Sequence, residues 1–317
     1  MLLLWQRFIL YKFNIQLYMK IYDCFMFFDE EMLLDLRLNI MNKYVDKFVI
    51  TEATYMHSGK PKKLIFDINK FSKFKDKIIY IVVDKQPPDL FKIDESDNDK
   101  HDTRGQKLVL NGYKRDNYQR QMAQQALNNV EPEDWILIND LDEIPNLKNV
   151  DMRKIKNKLL IFKQQIFYYK FNLLYPSVSW FGSRACKKKN FLSPQWLRNT
   201  KHKKYPLWRL DIFFSKRKYN DIFYVNNGGW HFTNIKSPED IEKKLLNYTH
   251  HDEFAKSKLK LEDLRKKIKE KKIIYDHSVD QTKYKWDSDI TLRTVKLSDM
   301  PDYLRENYKK YVSWLEI

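Results

Sequence analysis

Apolar residues recur along this chain in two rhythms that alternate. Residues 20–28 (KIYDCFMFF) form a nearly unbroken run of aromatic and branched side chains, which predicts a buried strand. Over 29–44, Met32, Leu33, Leu36, Ile40 and Met41 return at helical spacing and acids fill the first turn, which predicts a helix. Residues 47–52 (KFVITE) and 77–84 (KIIYIVVD) repeat the strand pattern, with a loop marked by Gly59 and Pro61 after the first. Residues 86–104 are polar, carry Pro87 and Pro88 and are dense in Asp, which predicts a long surface loop or lid. A helix rich in Gln and Ala is predicted over 117–129, and a fourth strand over 134–139 (DWILIN). This order predicts an α/β layer with a mainly parallel central sheet flanked by helices. Ligands of such sheets sit beyond the carboxyl ends of the strands, where Glu52, Asp84 and Asp140 fall.

The second half reads differently. Residues 159–174 and 205–214 look like further aromatic-rich strands, with basic clusters at 187–189 and 201–204 on loops. Ser237 caps a helix over 237–247, with Pro238 at its first position. Residues 254–272 read as a charged surface helix and 297–315 as a closing amphipathic stretch. No internal repeat and no long linker divides the chain.

Composition narrows the classes. Twenty Phe, twenty Tyr and eight Trp in 317 residues argue against disorder, and two cysteines exclude a disulfide scaffold or a multi-Cys zinc fold. Fifty-nine Lys and Arg against 42 Asp and Glu give a formal charge of +17, which favours polyanionic partners or records an AT-rich coding sequence. Residues 1–19 are apolar, but Gln6, Arg7, Lys12, Asn14 and Gln16 interrupt any membrane span. They read as an extension that lies on a membrane surface or precedes a true start at Met19. The expectation is a soluble, cytoplasmic protein, with peripheral membrane contact possible through that extension.

The strongest chemical signal is Asn139-Asp140-Leu141-Asp142-Glu143-Ile144-Pro145. Carboxylates crowded at the end of a buried strand repel one another and stay ionised cheaply only beside a cation. Hard oxygen ligands at this spacing suit Mn²⁺ or Mg²⁺ carrying phosphate oxygens; the plainer reading is an acidic turn before a helix. His231, in Gly228-Gly229-Trp230-His231, is a candidate third ligand, or else a packed histidine beside a core Trp. The glycines allow close backbone approach or positive φ. In His250-His251-Asp252-Glu253, a His-x-Glu pair offers acid–base chemistry or an exposed helix end. Lys114, Arg115 and Arg120 are candidates for diphosphate, or ordinary helix-surface charge. There is no Walker-type loop, no G-x-G-x-x-G, no G-x-S-x-G and no CxxC.

Four blocks in order resemble glycosyltransferase family 17, which includes the β-1,4-mannosyl-glycoprotein β-1,4-N-acetylglucosaminyltransferases. They are IYDCFMFFDEEMLLDLRLNIM (with Asp23, Glu31 and Arg37), VDKFVITEATYMHSGKPKKL (with Glu52, Gly59 and Lys62), DWILINDLDEIP, and GGWHFT followed by His251 and Glu253. The ending MPDYLRENYKKY is similar too. The chain departs from the family at 55–58 (YMHS) and at 247–249 (NYT). The resemblance implies a GT-A type fold and inverting transfer from a nucleotide-sugar, with UDP-N-acetylglucosamine as donor. DLDEIP would be the DxD motif. Asp140, Asp142 and His231 would then serve the metal, and Glu52, Asp84, Arg115, Arg120 and Asp140 the nucleotide. Glu143, Glu253 or His251 would supply the base, and Trp180, Trp196 or Trp208 an acceptor platform. The division expected is an extension (1–19), a nucleotide-sugar-binding half (20–150) and an acceptor-binding half (151–317) of one catalytic domain. The partners are a sugar donor and a glycan acceptor on a glycoprotein, lipopolysaccharide or capsular chain, with no specific nucleic acid. A divalent-metal nuclease or phosphohydrolase fits the same acids and positive charge; a non-catalytic binding protein would need none of them.

Overall fold

A computed structural model describes residues 19–94, 97, 103–206, 208–248, 251–278, 285–286 and 288–317. The extension at 1–18 lies outside the described residues. The fold is mixed α/β, with two mixed sheets and helices packed on them.

The first half supplies β1 (Ile21–Phe27), α1 (Glu31–Met41), β2 (Lys47–Ala53), β3 (Ile78–Val83), α2 (Thr103–Gln121), β4 (Trp135–Ile138) and β5 (Glu143–Pro145). The second half supplies β6 (Leu159–Phe162), β7 (Gln164–Tyr168), β8 (Leu173–Trp180), β9 (Arg184–Lys187), α3 (Pro194–Asn199), β10 (Ile222–Val225) and β11 (Gly229–Thr233). It continues with α4 (Pro238–Leu245), α5 (His251–Ser257), α6 (Leu261–Lys269), β12 (Arg293–Thr294) and α7 (Asp302–Glu306). Seven strands lie in the order β10-β6-β9-β4-β1-β2-β3, and five in the order β12-β8-β7-β11-β5.

The sequence pattern is accurate for the apolar runs of the first half, of which β1, β2 and β4 are buried on both faces and β3 is a partly buried edge strand. β1, β2, β3 and β4 pair in parallel, with β1 between β4 and β2. The large sheet departs from parallel only at β9, antiparallel to both β4 and β6. The second sheet is chiefly antiparallel and was not anticipated. The run at 159–174 is two successive strands in different sheets. Ser237 caps α4 by accepting from the backbone N of Asp240 at 3.1 Å. The charged helix expected over 254–272 is instead two helices, α5 and α6.

Two expectations fail for physical reasons. α2 begins at Thr103, well before residue 117. Its buried side is Gly105, Asn111, Gly112, Gln119 and Arg120 rather than an apolar stripe, so no hydrophobic period marks it. Residues 205–214 form no strand: only Leu210–Ile212 makes a short 3-10 turn, and most of the apolar side chains there face solvent. No described helix is long and apolar enough to cross a membrane.

The described chain passes from one sheet to the other between β4 and β5, β5 and β6, β6 and β7, β8 and β9, and β10 and β11, by a short connection in every case but β5 to β6. Gly229 serves the last of these, with φ of 122° and its α-carbon so close to β5 that an added Cβ would lie 2.1 Å from the Ile144 carbonyl oxygen. This accounts for the glycine pair singled out in the sequence.

Candidate active site

The acidic stretch joins β4 to β5 and is held from beneath. Leu141 and Ile144 are buried in the main core. Under the turn runs Arg37 of α1, fully buried. Its Nη1 donates to the carbonyl oxygens of Asp140 (3.2 Å), Leu141 (3.1 Å) and Glu143 (2.6 Å). Its Nε and Nη2 grip the Asp23 carboxylate of β1 at 2.9 and 2.6 Å. Asn139 Nδ2 donates to the same carboxylate at 2.6 Å. One buried ion pair therefore fixes the path of the turn.

Above the turn lies a cavity of about 600 Å³, within the usual range for a small-ligand site. Asp116, Arg120, Asp140, Asp142, Trp180 and Arg198 line it, with Phe28, Tyr113 and Tyr248 among its aromatic walls. Arg198 reaches Asp140 Oδ2 (2.6 Å), Glu143 Oε2 (2.6 Å) and Glu143 Oε1 (2.9 Å). Arg120 reaches Asp140 Oδ1 (3.0 Å), Asp116 Oδ2 (2.8 Å) and Gln195 (2.9 Å). Burial alone would raise the pKa of Asp140, but Arg198 and Arg120 outweigh it and hold the carboxyl below its usual range. Burial would lower the pKa of Arg198, and Asp140 and Glu143 reverse that.

Glu143 is fully buried and every oxygen is engaged. Besides Arg198, it accepts from Trp180 Nε1 at 2.5 Å and from the Asp140 backbone N at 2.9 Å. It fixes its neighbours in place and does not face the cavity as a base. Gly182 allows this packing, since an added Cβ would lie 1.9 Å from Glu143 Oε1 and 2.2 Å from Trp180 Nε1. Gly182→Ala is therefore expected to dislodge both side chains and to lower turnover by about 10²-fold, by analogy with a 1 Å misplacement in other sites. Turnover within threefold of wild type, in a protein of unchanged melting point, would contradict this.

Asp142 is differently placed. Its Oδ1 stands 3.6 Å from Nε2 of His231 on β11. Burial raises its pKa and His231 lowers it, with a net lowering. The His231 ring is stacked on Trp180 at 4.8 Å. Among the described residues no three His, Cys, Asp or Glu side chains gather as a complete metal cage. Asp140 is occupied by its two arginines. Asp142 and His231 nevertheless suit a divalent ion that takes its remaining ligands from phosphate and water. Arg120 and Arg198 pair with Asp116, Asp140 and Glu143, the Arg184 guanidinium adds positive charge beside Asp140 and Glu143, and Asp142 faces His231 and Lys244 instead. One feature of the pair is unusual, in that His231 Nδ1 is buried with no hydrogen-bond partner.

Behind Trp180 sits His277, within 5.8 Å ring to ring and flanked by Tyr168, Tyr175 and Tyr275. Burial, followed by His231, pushes its pKa down to about 3. The unfolded chain takes up this proton near pH 6.5 and the folded chain refuses it. The stability concerned is thus complete above pH 6.5 and drains as pH falls toward 3, by about 1.4 kcal/mol per pH unit. Melting curves between pH 7 and 4 are expected to show a flatter decline for His277→Phe; identical slopes would count against it.

The other residues singled out in the sequence are scattered. Glu52 ends β2 but is fully buried, paired with Lys62, and accepts from Ile65 N (2.9 Å), Phe66 N (3.1 Å) and Tyr80 Oη (2.8 Å). It braces a loop and does not line the cavity. Asp84 is exposed beyond β3, also away from the cavity. Arg115 crosses over Gly59 to Gln86 (2.7 Å) and the His57 carbonyl (3.2 Å), next to the cavity but not in its lining. Lys114 pairs with Asp89 at the surface. Glu253 lies on α5, outside the lining, and the side chain of His251 lies outside the described residues. Trp180 is on the cavity wall, whereas Trp196 packs between Phe191 and Tyr219, and Trp208 is 75 % exposed. Sequence reasoning missed Arg198, Arg37 as the clamp of the turn, and His57, which lines the cavity 4.0 Å from Asp116.

A family model, glycosyltransferase family 17, matches residues 10–315. The chain belongs to glycosyltransferase family 17. No curated protein matches it. Membership of family 17 makes glycosyl transfer the chemistry of this chain, with a sugar donor and a glycan acceptor as its partners, and does not favour the nuclease or phosphohydrolase reading.

Proposed function

We propose that this family 17 member is a GT-A type enzyme that moves N-acetylglucosamine from UDP-N-acetylglucosamine to a glycan hydroxyl with inversion. The observation that carries the reading is the acidic turn itself. It sits at the carboxyl end of the parallel strands and faces a cavity sized for a nucleotide-sugar.

In this reaction the acceptor oxygen bonds to the anomeric carbon from the face opposite the diphosphate. The carbon–oxygen bond to the diphosphate breaks, its electron pair leaves on the phosphate oxygen, and the acceptor proton passes to a base. A divalent ion, Mn²⁺ or Mg²⁺, held by Asp142 and His231 would neutralise the charge that gathers on the leaving diphosphate. Arg120 and Arg198 keep Asp140 ionised and fixed beside that position. Trp180, held by Glu143, offers an aromatic surface for the C–H face of a sugar.

The test is thermal shift and donor hydrolysis with a panel of nucleotide-sugars, with and without Mn²⁺. The expected result is stabilisation by UDP-N-acetylglucosamine that requires metal. Stabilisation by a different nucleotide-sugar would replace the donor, and indifference to metal would remove the ion from the proposal.

A further inference from the structure

Seven cations and two acids lie between residues 200 and 221, the segment that follows the cavity-lining Asn199 (TKHKKYPLWRLDIFFSKRKYND). The base of this loop is pinned. Lys201 N donates to Arg217 O (2.7 Å), Trp196 Nε1 to Lys216 O (2.5 Å), Tyr224 Oη to His202 O (2.8 Å), and Tyr205 N to Asn220 Oδ1 (3.0 Å). His202 stacks on Phe181 at 4.6 Å. The middle of the loop shows the opposite pattern. Trp208 is 75 % exposed, Leu210 68 %, Phe213 79 % and Phe214 89 %. No other described stretch presents large apolar side chains so openly and so close together.

The charges follow the same plan. Asp211 is neutralised by Arg209 (2.6 Å) and Lys218 (2.5 Å). Lys201, Lys203, Lys204, Lys216 and Arg217 flank the aromatic group along the chain, all exposed. Exposed apolar and aromatic side chains in the middle of a loop with a pinned base, flanked by cations, match the chemistry of a bilayer interface. Trp and Phe enter at the headgroup level while Lys and Arg meet anionic lipid.

We propose that the loop spanning residues 201–218 docks the protein onto an anionic lipid bilayer. It is a site separate from the catalytic cavity, although the chain runs from Asn199 on the cavity wall straight into it. These exposed side chains belong to none of the core clusters, so they can be changed without disturbing the core, which makes the surface testable on the whole protein.

The experiment is co-sedimentation of the full chain with vesicles of phosphatidylcholine, with and without phosphatidylglycerol. Wild type is expected to bind the phosphatidylglycerol vesicles more tightly than phosphatidylcholine alone. The variant Trp208→Ser/Phe213→Ser/Phe214→Ser is expected to bind about tenfold or more weakly, with an unchanged melting point. Lys203→Glu/Lys204→Glu is expected to lose the preference for phosphatidylglycerol. Brominated lipid is expected to quench wild-type tryptophan emission more than that of Trp208→Phe. Equal binding by the triple-serine variant and wild type would overturn the proposal and move membrane contact elsewhere on the chain. So would a wild type that stays off the vesicles, or one that forms dimers which the triple-serine variant abolishes; the last would assign the surface to a second copy of this chain.

Discussion

Arg37→Met is expected to destabilise the protein by about 3–5 kcal/mol, a large part of the stability of an ordinary domain. The side chain is fully buried and does two jobs. It neutralises Asp23, which is equally buried, and it supplies the hydrogen bonds that satisfy the carbonyls of Asp140, Leu141 and Glu143. The two contributions separate in a double variant. Asp23→Asn in the Arg37→Met background removes the uncompensated charge and recovers part of the loss, while the unsatisfied carbonyls keep the rest. Urea melts of the three variants check this. Arg37→Met within about 1 kcal/mol of wild type would mean that water or a neighbour replaces the clamp.

Asp142→Asn is expected to lower transfer by on the order of 10²–10³-fold while leaving the melting point within a few degrees. The contrast with Asp140→Asn is the informative part. Asp140 is bound by Arg120 and Arg198, so its loss leaves two buried guanidiniums short of a partner and costs stability as well as activity. Asp142 faces His231 at 3.6 Å and no such pair of arginines. Its carboxylate is available for the reaction rather than committed to the fold. Chelation followed by Mn²⁺ is expected to remove and restore wild-type activity and to leave Asp142→Asn unchanged. Asp142→Asn turnover within threefold of wild type would remove Asp142 from the mechanism.

How far the site can be read from sequence depends on what each residue answers to. Asp140 and Asp142 are legible because a short apolar run delivers them together, and the period of that run is local. Glu52 satisfies the same strand-end rule but is committed to Lys62, Tyr80 and two backbone amides, which only the folded loop brings to it. Arg198 left no mark, since its acids lie 58 and 55 residues away and nothing nearby distinguishes it from other basic residues. The question that would have found it is which cations answer three crowded carboxylates. Among the elements, β1, β2 and β4 are legible because two-sided burial demands continuous apolar runs; β3 carries such a run too, although it is an edge strand and only partly buried. The start of α2 is hidden because its buried face is glycine and polar. The run at 205–214 misled for the opposite reason, being apolar without being covered.

The crossings between the sheets also determine what can be separated. Residues 139–142 belong to one of these splices and supply Asp140, Leu141 and Asp142 to the cavity, and Gly182 lies in another, packed against Trp180 of the cavity wall. Neither sheet can be excised with a working site attached, because each contributes walls the other lacks. A protein cut or circularly permuted within 139–142 would lose its chemistry at once, whereas an opening in the 201–218 loop would spare it. The site is a seam and not a module, so a family built this way is free to vary its surface loops but not to trade its halves.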